Sequence, residues 1–265
     1  MKRFSVTDFI AKKQSGQKIA MLTAYDYFTG ALLDEAGIEA VLVGDSLGNV
    51  ILGYDTTVPV TLEVMLHHTK AVARGCHRAL IVGDMPFLTY HTGIPEALRN
   101  AARFLQEAGA QAVKIEGGQE RAETVRAMVQ AGIPVMGHLG LTPQSVNQLG
   151  GYKVQGRTDA AAEKLYRDAM ALEEAGAFGI VLECVPSELA ARITRDLHIP
   201  TIGIGGGAEC DGQVLVTHDM LGIFEKAPKF VKKFGQLRDP MLQAFAAYKK
   251  EVEESTFPGA EQSYS

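Results

Sequence analysis

Short apolar runs rich in β-branched residues alternate with longer amphipathic stretches from one end of the chain to the other. The runs at 18–24 (KIAMLTA), 40–44 (AVLVG), 79–83 (ALIVG), 111–116 (QAVKIE), 134–138 (PVMGH), 178–184 (FGIVLEC), 200–204 (PTIGI) and 213–217 (QVLVT) predict eight strands. They are nearly continuous in apolar residues, as strands of a parallel sheet covered by helices must be. The segments 29–36, 61–74, 95–108, 120–131, 159–175, 187–197 and 238–254 carry helical periodicity. Ala36-Gly37, Ala108-Gly109, Ala131-Gly132 and Ala175-Gly176 each close such a segment just before a strand. Glycine there takes the left-handed conformation that satisfies the last helical carbonyls. A repeated strand–helix unit predicts an α/β protein, a (βα)₈ TIM barrel, although a doubly wound open sheet has the same order of elements. No low-complexity linker interrupts the pattern, so residues 1–265 are expected to form a single barrel domain with an N-terminal helical segment.

Two connections that follow strands are longer than turns require: Asp45–Thr57 (DSLGNVILGYDTT) and Leu139–Thr158 (LGLTPQSVNQLGGYKVQGRT). Long connections in a compact domain are usually functional loops or lids. Their position after strands places them on the C-terminal face, where barrel enzymes keep their active sites.

Polar residues collect at that same end. VLVG runs into Asp45 and Ser46, LIVG runs into Asp84, and AVKIE carries Lys114 and Glu116. The fifth strand ends in His138 and the sixth in Glu183, while the seventh enters Gly205-Gly206-Gly207. Side chains alternate along a strand, so Lys114 and Glu116 share one face. A lone Asp after a strand often caps a helix, and Lys114 with Glu116 would also make a structural ion pair. The feature recurs at one end of five strands, which favours a shared site. The glycine cluster resembles a phosphate loop, with tight packing at the barrel end as the other reading; no dinucleotide fingerprint is present.

Composition narrows the function. The chain is 46% hydrophobic and 22% charged, with a net charge of -5. Nothing in it suggests the clustered basic surface that nucleic acid needs, and no apolar run approaches the roughly 20 residues of a membrane helix. Cys76, Cys184 and Cys210 are odd in number and widely spaced, which suits a reducing cytoplasm and supplies no C-x-x-C clip.

Three carboxylates converging on one place repel each other. Two unit charges about 4 Å apart cost ~4 kcal/mol at an effective dielectric of 20. Either one group is protonated or a cation sits among them. Asp45, Asp84 and Glu116 offer only hard oxygen donors, which favours Mg²⁺; a zinc site using His138 and Cys184 is the alternative. A metal with open positions suits a 2-oxo acid, whose keto oxygen it polarises toward an enolate. Lys114 is positioned to add charge beside the oxyanion, and Glu183 is free to carry a proton.

The segments VGDSLGNVILGYDTTVPVT (43–61), VKIEGG (113–118), GHLGLTPQS (137–145), GGYKVQGR (150–157), VLECVP (181–186) and IGIGGGAECDGQVLVTHDMLG (202–222) resemble the ketopantoate hydroxymethyltransferase family. The resemblance runs in order from about Ala20 to the FPGAEQSYS tail. It implies a barrel of the phosphoenolpyruvate/pyruvate type that transfers a hydroxymethyl group from 5,10-methylenetetrahydrofolate to 3-methyl-2-oxobutanoate, through a Mg-chelated enolate. It also implies roles: Asp45, Asp84 and Glu116 for Mg²⁺; Asp45, Ser46, Asp84 and Lys114 for the oxo acid; Glu183 as proton acceptor; His138 as an orienting residue of the substrate site. A homodecamer is implied as well, in a chain whose cysteine usage and lack of a long apolar run already read as cytoplasmic. Departures are Gly206 where the family has alanine, Asn49 where methionine is common, and Gln262 and Tyr264 in the tail. A metal-dependent lyase on the same barrel, or a non-catalytic oxo-acid binder, remains as an alternative; Glu183 argues against the binder.

Overall fold

The computed structural model describes residues 2–264. Eight parallel strands close into a barrel in sequence order, β8 returning to pair with β1. They are β1 Ile19–Thr23, β2 Ala40–Val43, β3 Leu80–Asp84, β4 Ala112–Glu116, β5 Val135–Gly140, β6 Gly179–Glu183, β7 Thr201–Ile204 and β8 Gly212–Leu215. The closed barrel excludes the open sheet.

Helices α1 Val6–Gln14, α2 Tyr27–Glu35, α3 Leu47–Val50, α4 Leu62–Gly75, α5 Ile94–Gln106, α6 Ala122–Gln130, α7 Val146–Leu149, α8 Asp159–Glu174 and α9 Ser187–Asp196 belong to this compact unit, which runs to Val216. The described residues from Thr217 onward form a second compact unit with α10 Thr217–Met220 and α11 Arg238–Glu253. Most strand boundaries lie within one residue of the sequence expectation, and two strand ends differ by two residues. Strand five continues to Gly140, and strand eight stops at Leu215 because Thr217 opens α10. The two long connections are not plain loops either: α3 lies in the first, and a 3₁₀ turn at Pro143–Ser145 leads into α7 in the second.

Both faces of the strands are apolar because each faces a core. Outward residues such as Val41, Ile81, Val113, Val135 and Leu182 pack beneath the helices. Inward residues Met21, Leu42, Leu80, Val82, Ala112, Met136, Val181, Ile202 and Val214 fill the barrel's lower interior with Phe9 of α1. Phe9 is wholly buried and meets Phe178 edge-on at 5.5 Å. The N-terminal helical segment therefore plugs one end of the barrel. Ser5 and Asp8 form its capping box, satisfying backbone donors that the first turn leaves free.

Two residues past this inward apolar layer, the same face turns polar. Asp84 follows Val82, Lys114 and Glu116 follow Ala112, His138 follows Met136, and Glu183 follows Val181. The period-2 alternation thus carries the apolar bottom into a polar mouth at the C-terminal ends of the strands. Glycines on the outward face set the helices close behind it. A methyl on Gly83 would stand 2.3 Å from Phe104 of α5, and one on Gly137 would stand 2.7 Å from Leu172 of α8. The small residue immediately before Asp84, and again before His138, is therefore a packing requirement.

Candidate active site

Strand register brings the polar residues together. Asp84 lies beside Lys114 in the β3–β4 pairing, Glu116 beside His138 in β4–β5, and Gly140 beside Glu183 in β5–β6. Asp45 joins them from the turn after β2, where its backbone N–H donates to Asp84 Oδ2 at 3.1 Å. Asp45, Asp84, Lys114, Glu116 and His138 are all buried, and Glu183 is partly exposed. Ser46 begins the short helix α3 and shares a hydrogen bond with Tyr25 at 2.8 Å.

Lys114 stands among the carboxylates. Its Nζ is 2.9 Å from Asp84 Oδ1 and 3.8 Å from Glu116 Oε1. These are ion pairs without full hydrogen-bond alignment, and both oxygens are buried with no hydrogen-bond partner. Nζ also approaches His138 Nδ1 at 3.1 Å. An ammonium only donates, so Nδ1 accepts and the ring proton sits on Nε2. Nε2 lies 3.2 Å from Glu183 Oε2, close but not aligned for a hydrogen bond.

Charge balance at this mouth is poor. Burial pushes Asp45 up, the negative charge of Glu116 adds to it, and Lys114, the Gln144 amide and the Thr57 hydroxyl only partly offset the rise. Asp84 lies well above the ordinary carboxylate range, first through burial, then through Asp45 and Glu116, against the pull of Lys114. Burial raises Glu116 to about 7 despite Lys114 and the Gln144 N–H. Burial opposes the charge on Lys114, but the three carboxylates outweigh it and hold the ammonium above lysine's usual value. His138 is lowered by burial and by Lys114 and stays neutral.

One buried ammonium faces three buried carboxylates. Two buried oxygens without hydrogen bonds and an all-oxygen donor set fit a hard divalent cation. Among the described residues no three His, Cys, Asp or Glu side chains form a ready-made cation cage; here the positive charge beside the carboxylates is Lys114.

Three participants carried no mark in the sequence reading. Gln144, inside the GHLGLTPQS motif, donates through Nε2 to Asp45 Oδ2 at 3.0 Å and through its backbone N–H to Glu116 Oε2 at 3.1 Å. Tyr90 donates its hydroxyl hydrogen to Gln144 Oε1 at 2.7 Å, and Thr57 lies buried beside Asp45. The glycine cluster behaves as a turn: Gly205 and Gly207 have φ of 68° and 91°, and a methyl on Gly206 would stand 3.1 Å from the Leu182 carbonyl. The alanine of the family pattern would be tight there.

A closed parallel barrel with acid, base and ammonium groups at its C-terminal mouth defines an α/β-barrel enzyme. Solved structures of that fold resemble it: a phosphonopyruvate hydrolase complexed with oxalate and Mg²⁺ (TM-score 0.64, 12% identity, 99% of this chain and 93% of that one), and 2,3-dimethylmalate lyase, a PEP mutase/isocitrate lyase superfamily member (TM-score 0.60, 17% identity, 98% and 91%). At such identities the likeness concerns the fold alone.

Sequence narrows the class to one family. The ketopantoate hydroxymethyltransferase family model matches residues 3–260. The 3-methyl-2-oxobutanoate hydroxymethyltransferase of Syntrophus aciditrophicus is 61% identical over 95% of this chain and 93% of its own length. Its namesake in Syntrophomonas wolfei is 57% identical over 100% and 96%. The chain belongs to the ketopantoate hydroxymethyltransferase family, a family of transferase enzymes.

The raised Glu116 gives a stability prediction for metal-free protein. Between the ordinary glutamate value of 4.5 and about 7, folded Glu116 holds a proton that the unfolded chain has released. The native state binds more protons there, so this group makes stability fall as pH rises through the window. His138, lowered in the fold, contributes the opposite slope below its ordinary value of 6.5. Glu116→Gln removes the first effect, lessens the rise of Asp45 and Asp84 in the same direction, and leaves that of His138. In chelator, the unfolding free energy of Glu116→Gln minus that of the native protein should grow steadily from about pH 5 to 7. A difference constant across that range would contradict the assignment.

Proposed function

We propose that this chain transfers a hydroxymethyl group from 5,10-methylenetetrahydrofolate to 3-methyl-2-oxobutanoate, forming 2-dehydropantoate for pantothenate synthesis. The observation that supports this reading is the placing of Glu183 beside a neutral His138, next to a buried cluster of carboxylates and one ammonium. Asp45, Asp84 and Glu116 are the residues that would hold Mg²⁺, which supplies Lewis-acid polarisation of the keto oxygen when bound.

The chain's own groups then divide the work. Lys114 keeps its ammonium at neutral pH and stabilises the oxyanion that develops as C3 loses its proton. Ser46 offers a hydroxyl next to Asp45 for the oxo acid. His138 Nε2 lies 3.2 Å from Glu183 Oε2 and leaves Oε1 to take the C3 proton. Water breaks both C–N bonds of the folate's methylene group, freeing the two nitrogens and leaving a formaldehyde-level carbon that carries the hydroxyl oxygen; the enolate carbon bonds to that carbon, and the resulting alkoxide takes up a proton. Burial of five of these side chains excludes the bulk water that would quench the carbanion.

Removing the base separates this chemistry from simple binding. With Mg²⁺ in deuterium oxide and no folate, the native enzyme should exchange the C3 hydrogen of 3-methyl-2-oxobutanoate, and Glu183→Gln should not. Turnover in the variant should fall by about 10²–10⁴, the usual effect of losing a general base, with oxo-acid affinity little changed. Exchange at the native rate in Glu183→Gln would assign the proton to another group, His138 first.

We also read the protein as a cytoplasmic homodecamer. No helix among the described residues is long and apolar enough to cross a membrane, and all three cysteines are free. Helix α11 buries none of its residues, and Met241, Leu242, Phe245, Tyr248 and Val252 are exposed. An apolar face of this kind favours subunit contact over solvent. Light scattering at micromolar concentration should give a mass many times 28.5 kDa; the mass of one chain would overturn the assembly.

A further inference from the structure

The amide of Gln144 is the most fully committed side chain at the barrel mouth. Its orientation follows from its neighbours. Nε2 lies 3.0 Å from the Met85 carbonyl, which only accepts, so nitrogen must face it. The second Nε2 hydrogen then goes to Asp45 Oδ2 at 3.0 Å, and Oε1 accepts from the Tyr90 hydroxyl at 2.7 Å. Tyr90 in turn accepts from the Glu116 backbone N–H at 3.1 Å, while the Gln144 backbone N–H donates to Glu116 Oε2 at 3.1 Å. Gln144 is 4% exposed and Tyr90 1%. One buried amide thus touches three strand-end segments: Asp45 after β2, Met85 and Tyr90 after β3, and its own segment after β5.

We propose that Gln144 is a positioning residue: it fixes Asp45 and Glu116 in a single arrangement and fastens the start of the β5–α8 segment across the barrel mouth. The inference rests on the reading of Asp45, Asp84 and Glu116 as cation-holding residues. Gln144 occupies one oxygen of Asp45 and one of Glu116, and leaves Glu116 Oε1 without a hydrogen bond. Which oxygen of Glu116 faces outward is therefore set by the Gln144 backbone N–H, which the side-chain amide holds in place through Asp45, Met85 and Tyr90. Partners of this kind commonly change metal affinity by about 10–100-fold when lost. The tie also works on the segment. Leu141 N donates to the Glu183 carbonyl and Gln155 N to the Cys184 carbonyl, so the ends of the segment are pinned to β6 while Gln144 pins it to the carboxylates. Loss of the amide releases the stretch near α7 and leaves those two ends in place.

Gln144→Met keeps the volume and removes all three side-chain hydrogen bonds, and Tyr90→Phe removes only the hydroxyl. Calorimetric titration with Mg²⁺ should show affinity about 10–100-fold weaker in Gln144→Met. KM for 3-methyl-2-oxobutanoate should rise in step and KM for the folate donor should stay within twofold. A role in folding alone would lower the yield of active protein and kcat but leave the affinity of the folded fraction unchanged. Tyr90→Phe should shift Mg²⁺ affinity the same way by a smaller factor. The double variant should be little worse than Gln144→Met, because both act through one network. In chelator, amide exchange should quicken in residues 141–149 of Gln144→Met. Native Mg²⁺ affinity in folded Gln144→Met, a double variant with the full product of the two effects, or unchanged exchange at 141–149 would each overturn the proposal. A native protein that binds no Mg²⁺ would overturn the functional reading as well, which separates the two failures.

Discussion

Three carboxylates share a buried space with one ammonium, and the architecture of the barrel mouth follows from that imbalance. Lys114 lies 2.9 Å from Asp84 and 3.8 Å from Glu116, and it is held charged by them. The remaining negative charge is spread by hydrogen bonds: the Asp45 N–H on Asp84, and the Gln144 side-chain and backbone N–H groups on Asp45 and Glu116. Fixed dipoles of this kind lower the cost of burying charge without neutralising it. Burial still raises all three carboxyl groups, and a hard divalent cation would offset that cost.

The rest of the fold holds these groups in place against that repulsion. Parallel register puts Asp84 opposite Lys114 and Glu116 opposite His138. Below them lies an apolar layer closed by Phe9, so the charged side chains cannot relax downward into water. Behind them, Gly83 and Gly137 admit Phe104 and Leu172 and bring α5 and α8 hard against the strands. A carboxylate carried on such a strand keeps its position even when its charge would drive it away.

Much of this was legible in the chain. A continuous apolar run ending in a polar residue predicts a two-sided buried strand opening into a site, and Asp84, Glu116, His138 and Glu183 all sit where that pattern places them. The barrel and most of its strand boundaries, to within a residue, were legible for the same reason; the ends of β5 and β8 were not. Gln144 and Tyr90 were not. Each lies in a connection, outside any period, and they are 54 residues apart in the chain; only the closed fold brings them together. The GHLGLTPQS motif marked the right segment, but nothing in its composition says that the Gln144 amide turns back onto Asp45. The short helices α3 and α7 escaped for a related reason, since four-residue elements are too brief for periodicity to register. The N-terminal segment was read as helical, yet its function as the barrel's plug depends on Phe9 meeting Phe178, a contact between distant parts of the chain.

On the proposed function, a divalent cation held by Asp45, Asp84 and Glu116 would match the buried negative charge. The most direct test is the melting temperature of the native protein at pH 8, in chelator and with increasing Mg²⁺. A ligand that binds only the folded state stabilises it by about 2.7 kcal/mol at a hundredfold excess over Kd, or roughly 5–10 °C for a chain of this size. The account predicts a saturable rise of that order, largely lost in Asp84→Asn. A melting temperature indifferent to millimolar Mg²⁺, or an equal rise in Asp84→Asn, would contradict it.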